Sequence, residues 1–140
     1  KLSEVYSNLG TAYYVMKKYN EALRSYETMI NNYSVNFITN YIYMADCQNR
    51  LGLERSIPII DEDKYINAPD DIKIMYKYFL LSKDIPVFVK QNYIMKKVLP
   101  NLVDSELIDI FKFELNNLVK ISNHYKLLHL FNEYINEKKS

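Results

Sequence analysis

Apolar and small residues recur at helical spacing from the start of the chain. One stripe, at offsets i, i+3, i+7 and i+10, consists of Tyr6, Leu9, Tyr13 and Met16. A second stripe follows the polar stretch 17–20 and consists of Ala22, Tyr26, Met29 and Ile30. Gly10 and Ala22 offer small surfaces, so the two backbones can approach closely. The pattern predicts two antiparallel helices, at about Leu2–Met16 and Asn20–Asn32, packed as a hairpin.

Helical spacing continues along the rest of the chain, and no stretch alternates as a strand would. It predicts further helices at about Val35–Leu51, Pro69–Ser82, Pro86–Leu99, Asp104–Ile121 and His124–Glu137. Gly52 is placed to end the third helix as a C-cap. The buried face predicted for the helix at 104–121 consists of Leu107, Ile110, Phe111, Leu115 and Leu118.

Two similar segments, Leu53–Ile60 and Leu81–Phe88, share a Leu-x-x-Ser/Asp-Ile-Pro pattern. Ser56 and Asp84 suit helix N-caps, and a proline is tolerated in the first turn that follows. We therefore expect a helix to begin in each segment as the second helix of a hairpin. The total is eight helices in four hairpins, an all-α fold.

Composition restricts the function classes. The chain has 140 residues and a formal net charge of +1, so nothing indicates a nucleic-acid surface. The single cysteine, Cys47, excludes an intramolecular disulfide and fits a reducing, cytoplasmic compartment, where a buried thiol is expected. No apolar run is long enough to predict a membrane span. The chain starts at Lys1, inside a helical pattern and without Met, so we interpret it as a fragment of a longer protein.

The first hairpin carries a motif whose matching positions are Tyr6, Leu9, Gly10, Tyr13, Tyr19, Ala22 and Tyr26. This spacing resembles the tetratricopeptide (TPR) repeat, with Met29 and Ser34 departing from its pattern. The resemblance implies a right-handed α-α superhelix of about four antiparallel helical hairpins. It would form a single domain, 1–140, with a clear repeat at 3–36 and degenerate repeats at 37–68, 69–100 and 101–137.

Degenerate repeats rich in Tyr, Asn and Lys also resemble the C-terminal regions of Gram-positive helix-turn-helix transcriptional regulators. Such relatives bind short signalling peptides in a concave groove and dimerise through their repeats. The resemblance implies a ligand-sensing and dimerisation domain that makes no direct contact with nucleic acid. Its partners would be a protein or short peptide and a second copy of the chain.

No catalytic pattern is found. His124 and His129 are five residues apart on a predicted helix and so lie on different faces, which makes them a poor metal pair. With glycine only at positions 10 and 52, a phosphate-binding loop is excluded, and no serine-nucleophile motif occurs. We therefore expect no enzymatic activity, no metal and no cofactor.

A binding groove is the remaining candidate site. In TPR-like solenoids the first helix of each hairpin lines the concave face. The candidate peptide-binding residues are Tyr14, Tyr43, Asp46, Asn49, Arg50, Phe113, Asn116, Asn117 and Lys120. Asparagine amides can donate to and accept from a peptide backbone, and Arg50 or Lys120 could hold a carboxylate.

Three alternatives stay open, and one is that the chain is an accessory domain of an enzyme whose catalytic part lies elsewhere. Polar residues opposite a core stripe are often only solvated. The chain could also be a structural scaffold or oligomerisation module without a peptide ligand. That alternative predicts exposed apolar residues on one self-complementary flank, for instance Tyr14, Phe88 or Tyr93.

Overall fold

The computed structural model describes residues 2–33, 37–82 and 85–122 of the chain, and this part is all-helical, without a strand. The helices are α1 (Leu2–Val15), α2 (Tyr19–Tyr33), α3 (Ile38–Arg50), α4 (Glu62–Ile66), α5 (Asp70–Leu81), α6 (Val87–Tyr93) and α7 (Ser105–Ser122). The all-α prediction is confirmed, and the helix predicted at His124–Glu137 lies outside the described residues. None of the described helices combines the length and hydropathy needed to cross a bilayer.

The chain forms two compact units, Lys1–Lys83 and Asp84–Ser140. The first contains α1 to α5, and the second contains α6 and α7. In the first unit α2 packs against both α1 and α3, and α3 also packs against α5. The single TPR-like domain of four repeats and the right-handed superhelix stay predictions.

The α1–α2 hairpin forms as predicted, but α1 is rotated relative to the expected stripe. Tyr26 on α2 is fully buried, and its ring packs on the backbone at Gly10, the one buried residue of α1. Because Gly10 marks the closest approach, its neighbour Leu9 is turned outward and is 40% exposed, and Met16 is 55% exposed. The prediction that Leu9 and Met16 are packed in the hairpin is therefore wrong.

The end of α3 follows the predicted C-cap chemistry. Gly52 has a φ of +70°, the left-handed conformation that glycine adopts without strain. Its amide donates to the Asn49 carbonyl at 3.2 Å, and the Leu53 amide donates to the Gln48 carbonyl at 2.8 Å. These two bonds form a Schellman motif, which satisfies the last carbonyls of the helix and turns the chain away.

The segment 53–60 is irregular, so the prediction that a helix begins there is wrong. Its backbone groups are bonded by side chains of neighbouring helices. The Gln48 amide donates to the Ser56 carbonyl and accepts from the Ser56 amide, both at 2.9 Å. The Tyr76 hydroxyl donates to the Pro58 carbonyl and accepts from the Ile60 amide, both at 2.8 Å. With these polar groups satisfied, the segment needs no helix.

In the second unit α6 ends early. The chain continues through a π-helical turn, Ile94–Val98, and a 3₁₀ turn, Leu99–Asn101. Pro100 has no amide hydrogen to continue an α-helical ladder, so the helix predicted to reach Leu99 changes form before it. On α7 the predicted buried face is confirmed for Leu107, Ile110, Phe111, Leu115 and Leu118.

Candidate functional site

A buried carboxylate joins α1 to α3. Asp46 on α3 is fully buried, and one of its oxygens, Oδ2, accepts two hydrogen bonds. The first comes from the Tyr14 hydroxyl on α1, and the second from Arg50 Nε, one turn further along α3, at 2.9 Å. A charged acceptor shared by a phenol and a guanidinium gives stronger hydrogen bonds than neutral groups do.

Two further tyrosine rings pack on the Tyr14 ring that contacts this carboxylate. The Tyr14 ring lies 4.6 Å from the Tyr43 ring and 5.8 Å from the Tyr19 ring, measured between centroids. The Arg50 guanidinium lies 5.2 Å from the centroid of Tyr19. We call Tyr14, Tyr19, Tyr43, Asp46 and Arg50 the Tyr14 cluster. Because its members come from α1, α2 and α3, the cluster holds these three helices together.

Protonation states in the Tyr14 cluster are set by burial and by Asp46. Burial first, and then the negative charge of Asp46, raise the pKa of Tyr14, so its hydroxyl stays a donor at neutral pH. Burial, the largest single influence, would lower the pKa of Arg50, but the charge and hydrogen bond of Asp46 together with Tyr19 and Tyr14 offset it, and the pKa is raised. The guanidinium therefore stays charged.

A depression of about 520 Å³ lies at the start of α3. It is lined by Ser7, Phe37, Ile38, Thr39, Asn40, Lys64, Asn67, Ala68 and Pro69. Asn40 is buried and donates from Nδ2 to the Ser7 hydroxyl at 2.7 Å. The exposed Lys64 ammonium lies 5.8 Å from the centroid of the Phe37 ring. The lining thus combines an aromatic ring with hydroxyl, amide and ammonium groups.

The depression and the Tyr14 cluster lie along the same two helices. Ser7 and Tyr14 are two turns apart on α1, so they share a face, and Asn40 and Tyr43 are nearly one turn apart on α3. The Ser7–Asn40 and Tyr14–Asp46 hydrogen bonds join these faces at two points. We call the surface that contains both features the α1/α3 face.

The structure brings together part of the predicted set. Tyr14, Tyr43, Asp46 and Arg50 meet in the Tyr14 cluster, and Asn49 is half-buried beside them on α3. On α7, in the second unit, the half-buried side chains are Phe113, Asn116 and Asn117. The side chain of Lys120 lies outside those described. Asp46 is buried and is not exposed to a ligand in a groove. It accepts hydrogen bonds from Tyr14 and Arg50 and so positions these two side chains.

Sequence reasoning missed four residues of the α1/α3 face. The sequence indicates Tyr19 only as part of the repeat motif, although its ring packs on Tyr14 and Arg50. Asn40 has no sequence signal, because its bond to Ser7 crosses between helices that the sequence cannot align. Phe37 and Lys64 meet across the irregular segment, so no local spacing signals their contact.

The Cys47 thiol is expected to be almost inert in the folded chain. It is fully buried, and burial first, with the charge of Asp46, raises its pKa to about 12. Because the thiolate is the reactive form, labelling by a thiol reagent should follow unfolding of the chain. Labelling that is as fast in buffer as in denaturant would contradict this assignment.

The same shift makes stability depend on alkaline pH. The folded pKa lies above the ordinary value of 9.0, so the contribution of Cys47 is complete below pH 9 and is lost as pH rises towards 12. The slope is about 1.4 kcal/mol per pH unit for one group. Denaturant unfolding between pH 8 and 11 should show a steeper loss for wild type than for Cys47→Ala, and equal slopes would contradict the shift.

Within the described residues, no group of three or more side chains that could hold a metal ion comes together. No family model, curated protein or solved structure matches the chain.

Proposed function

We propose that this chain is a protein- or peptide-binding domain built from TPR-like helical hairpins, and that its ligand lies along the α1/α3 face. The observation that carries the proposal is the depression of about 520 Å³ at the start of α3. Its volume is within the range of about 300–1,000 Å³ that is usual for ligand sites.

The chemistry of the lining suits a peptide. A peptide offers alternating backbone donors and acceptors together with side chains of varied polarity. Thr39 and Asn67 place a hydroxyl and an amide at the wall, and Phe37 provides an apolar contact. Lys64 is exposed beside Phe37, so it suits an acidic side chain or a terminal carboxylate.

The Tyr14 cluster supports this function as a rigid wall. Its hydrogen bonds and packed rings fix the distance between α1 and α3, so the depression needs little ordering when a ligand binds. In this interpretation Arg50 is a positioning residue, because its Nε bonds Asp46. Lys64, and not Arg50 as the sequence suggested, is the cationic side chain that binds a carboxylate of the peptide.

Selection from a phage library of random 12-residue peptides tests the proposal. Peptides selected on the wild-type chain should bind with Kd values of about 1–100 µM, as modest contact surfaces do. Thr39→Trp fills the depression, so it should weaken binding at least about tenfold. The matched control is Thr28→Trp, at a half-buried threonine of α2 outside the depression, which should leave affinity unchanged.

Two results would count against the proposal. If no peptide is enriched over an unrelated helical protein, the scaffold alternative is favoured. If selected peptides bind wild type and Thr39→Trp equally, the chain binds peptides at another surface.

A further inference from the structure

An exposed apolar stripe runs along the outer side of α1. Its larger members Leu2, Val5, Leu9 and Met16 are 60%, 55%, 40% and 55% exposed. With exposed Ala12 they are spaced by three and four residues, so they share one helix face. The stripe extends over about 21 Å, at 1.5 Å per residue.

Within α1 the stripe is free of charged neighbours from Val5 onward, and Glu4 is the one charged residue of the helix. From Val5 to Met16 the chain has no Asp, Glu, Lys or Arg. By contrast, the solvent-facing side of α2 exposes Glu21, Arg24 and Glu27. The outer side of α1 therefore has the character of an interior helix, although no described residue buries it.

The first unit shows how the equivalent stripe of α3 is covered. When Tyr6 is aligned with Tyr41, as the repeat motif suggests, Val5, Leu9 and Ala12 correspond to three α3 residues. These are Asn40, Met44 and Cys47, and all three are buried. α2 covers this side of α3, since Asn40 Nδ2 lies 3.7 Å from Met29 Sδ and Met44 faces Ile30 across a small depression.

We propose that the α1 stripe is a docking site for an amphipathic helix of another polypeptide, packed as α2 packs on α3. That helix presents an uncharged face of the α2 kind, with methionine and isoleucine placed as Met29 and Ile30 are on the side of α2 toward α3. Such a partner repeats on α1 the kind of packing that α2 forms with α3, and its neutral face complements the neutral stripe. A second copy is a poor occupant, because its own α2 is already packed against its α1 and α3.

The test uses the whole chain and a synthetic helix as probe. The probe is a fluorescent peptide of residues 18–33, made helical by a lactam between the side chains introduced by Asn20→Glu and Arg24→Lys. Both positions are exposed in α2 and lie outside the depression shared with Met44. Circular dichroism confirms its helicity before use. Fluorescence anisotropy should show saturable binding, with Kd of about 10–100 µM for an interface of this size.

Leu9→Glu places a charge in the stripe and should weaken probe binding at least about tenfold, and Val5→Glu should do the same. Val103→Glu is the matched control, at an exposed valine outside the stripe, and should bind as wild type does. All three variants are first checked for wild-type helicity and unfolding midpoint.

Three outcomes would overturn the proposal. If the helical probe does not bind at concentrations up to 1 mM, the stripe is not a binding site for such a helix. The same conclusion follows if Leu9→Glu binds the probe as tightly as wild type does. Sedimentation that shows a wild-type dimer which Leu9→Glu dissociates identifies a second copy as the occupant instead.

Discussion

Asp46→Ala is expected to lower the free energy of unfolding by about 3–5 kcal/mol, the usual cost of breaking a buried ion pair. The substitution removes the acceptor of both the Tyr14 hydroxyl and Arg50 Nε. A phenol and a guanidinium then stay in a largely dry site without that acceptor, which costs more than the lost bonds themselves. Urea unfolding at pH 7, followed by circular dichroism, measures the loss.

A milder variant keeps the prediction testable if Asp46→Ala does not fold. Asp46→Asn preserves the shape and one acceptor oxygen, so its loss should be smaller. Arg50→Met should then destabilise Asp46→Asn less than it destabilises wild type, with a coupling of about 0.5–3 kcal/mol. The control Asp63→Ala, at an exposed aspartate of α4, should stay within about 0.5 kcal/mol of wild type. Additive effects of Asp46→Asn and Arg50→Met would show that the pair is not coupled.

Tyr26→Ala is expected to have a similar effect, about 3–5 kcal/mol, because it leaves a ring-sized cavity between α1 and α2. The ring is fully buried, and its hydroxyl lies 2.9 Å from Thr11 Oγ1, so both packing and a hydrogen bond are lost. Tyr26→Phe loses only the hydrogen bond and should cost about 1 kcal/mol. Equal losses for the two variants would mean that the ring contributes little.

Gly10 provides a sharper test of the same contact. A Cβ at Gly10 would lie 2.6 Å from Tyr26 Cε1, so Gly10→Ala should destabilise wild type by about 1–2 kcal/mol despite the higher helix propensity of alanine. In the Tyr26→Ala background the clash is absent, and Gly10→Ala should stabilise the chain by up to about 1 kcal/mol. The control Asn8→Ala, at an exposed position of α1, should stabilise both backgrounds slightly. The same sign for Gly10→Ala in both backgrounds would contradict the packing described.

Most of the helices could be predicted from periodicity, because a helix that buries one face repeats apolar residues at helical spacing. α7 is the clearest case, since the five apolar residues predicted at helical spacing are all buried, together with Ile108 and Glu114. The sequence could not predict which side of α1 faces α2, because Tyr6, Leu9 and Gly10 all lie at adjacent positions of one broad helix face. The contact that decides between them is the Tyr26 ring on Gly10, and that contact depends on the neighbouring helix.

The sequence predicted only part of the candidate site. Periodicity predicts Tyr14 and Tyr43 on the first helices of two hairpins, and the structure brings their rings to 4.6 Å between centroids. Periodicity treats a polar residue opposite the core as exposed, so it could not show that Asp46 is buried between two partners. Phe37 and Lys64 come into contact because of the path that the chain takes between α3 and α4. No local sequence pattern predicts that path.

That path has a consequence for how the protein can change in evolution. The segment 53–60 is positioned through the side chains of Gln48 and Tyr76, which lie in the flanking helices α3 and α5. Both side chains form hydrogen bonds with its backbone amides and carbonyls. These bonds depend on the path of the backbone and not on which side chains the segment carries. The solvent-facing positions of the segment can therefore diverge while the fold is retained. The course of the segment 53–60 depends on Gln48 and Tyr76, which lie outside it. Even a conservative replacement of either side chain would remove hydrogen bonds that position the segment.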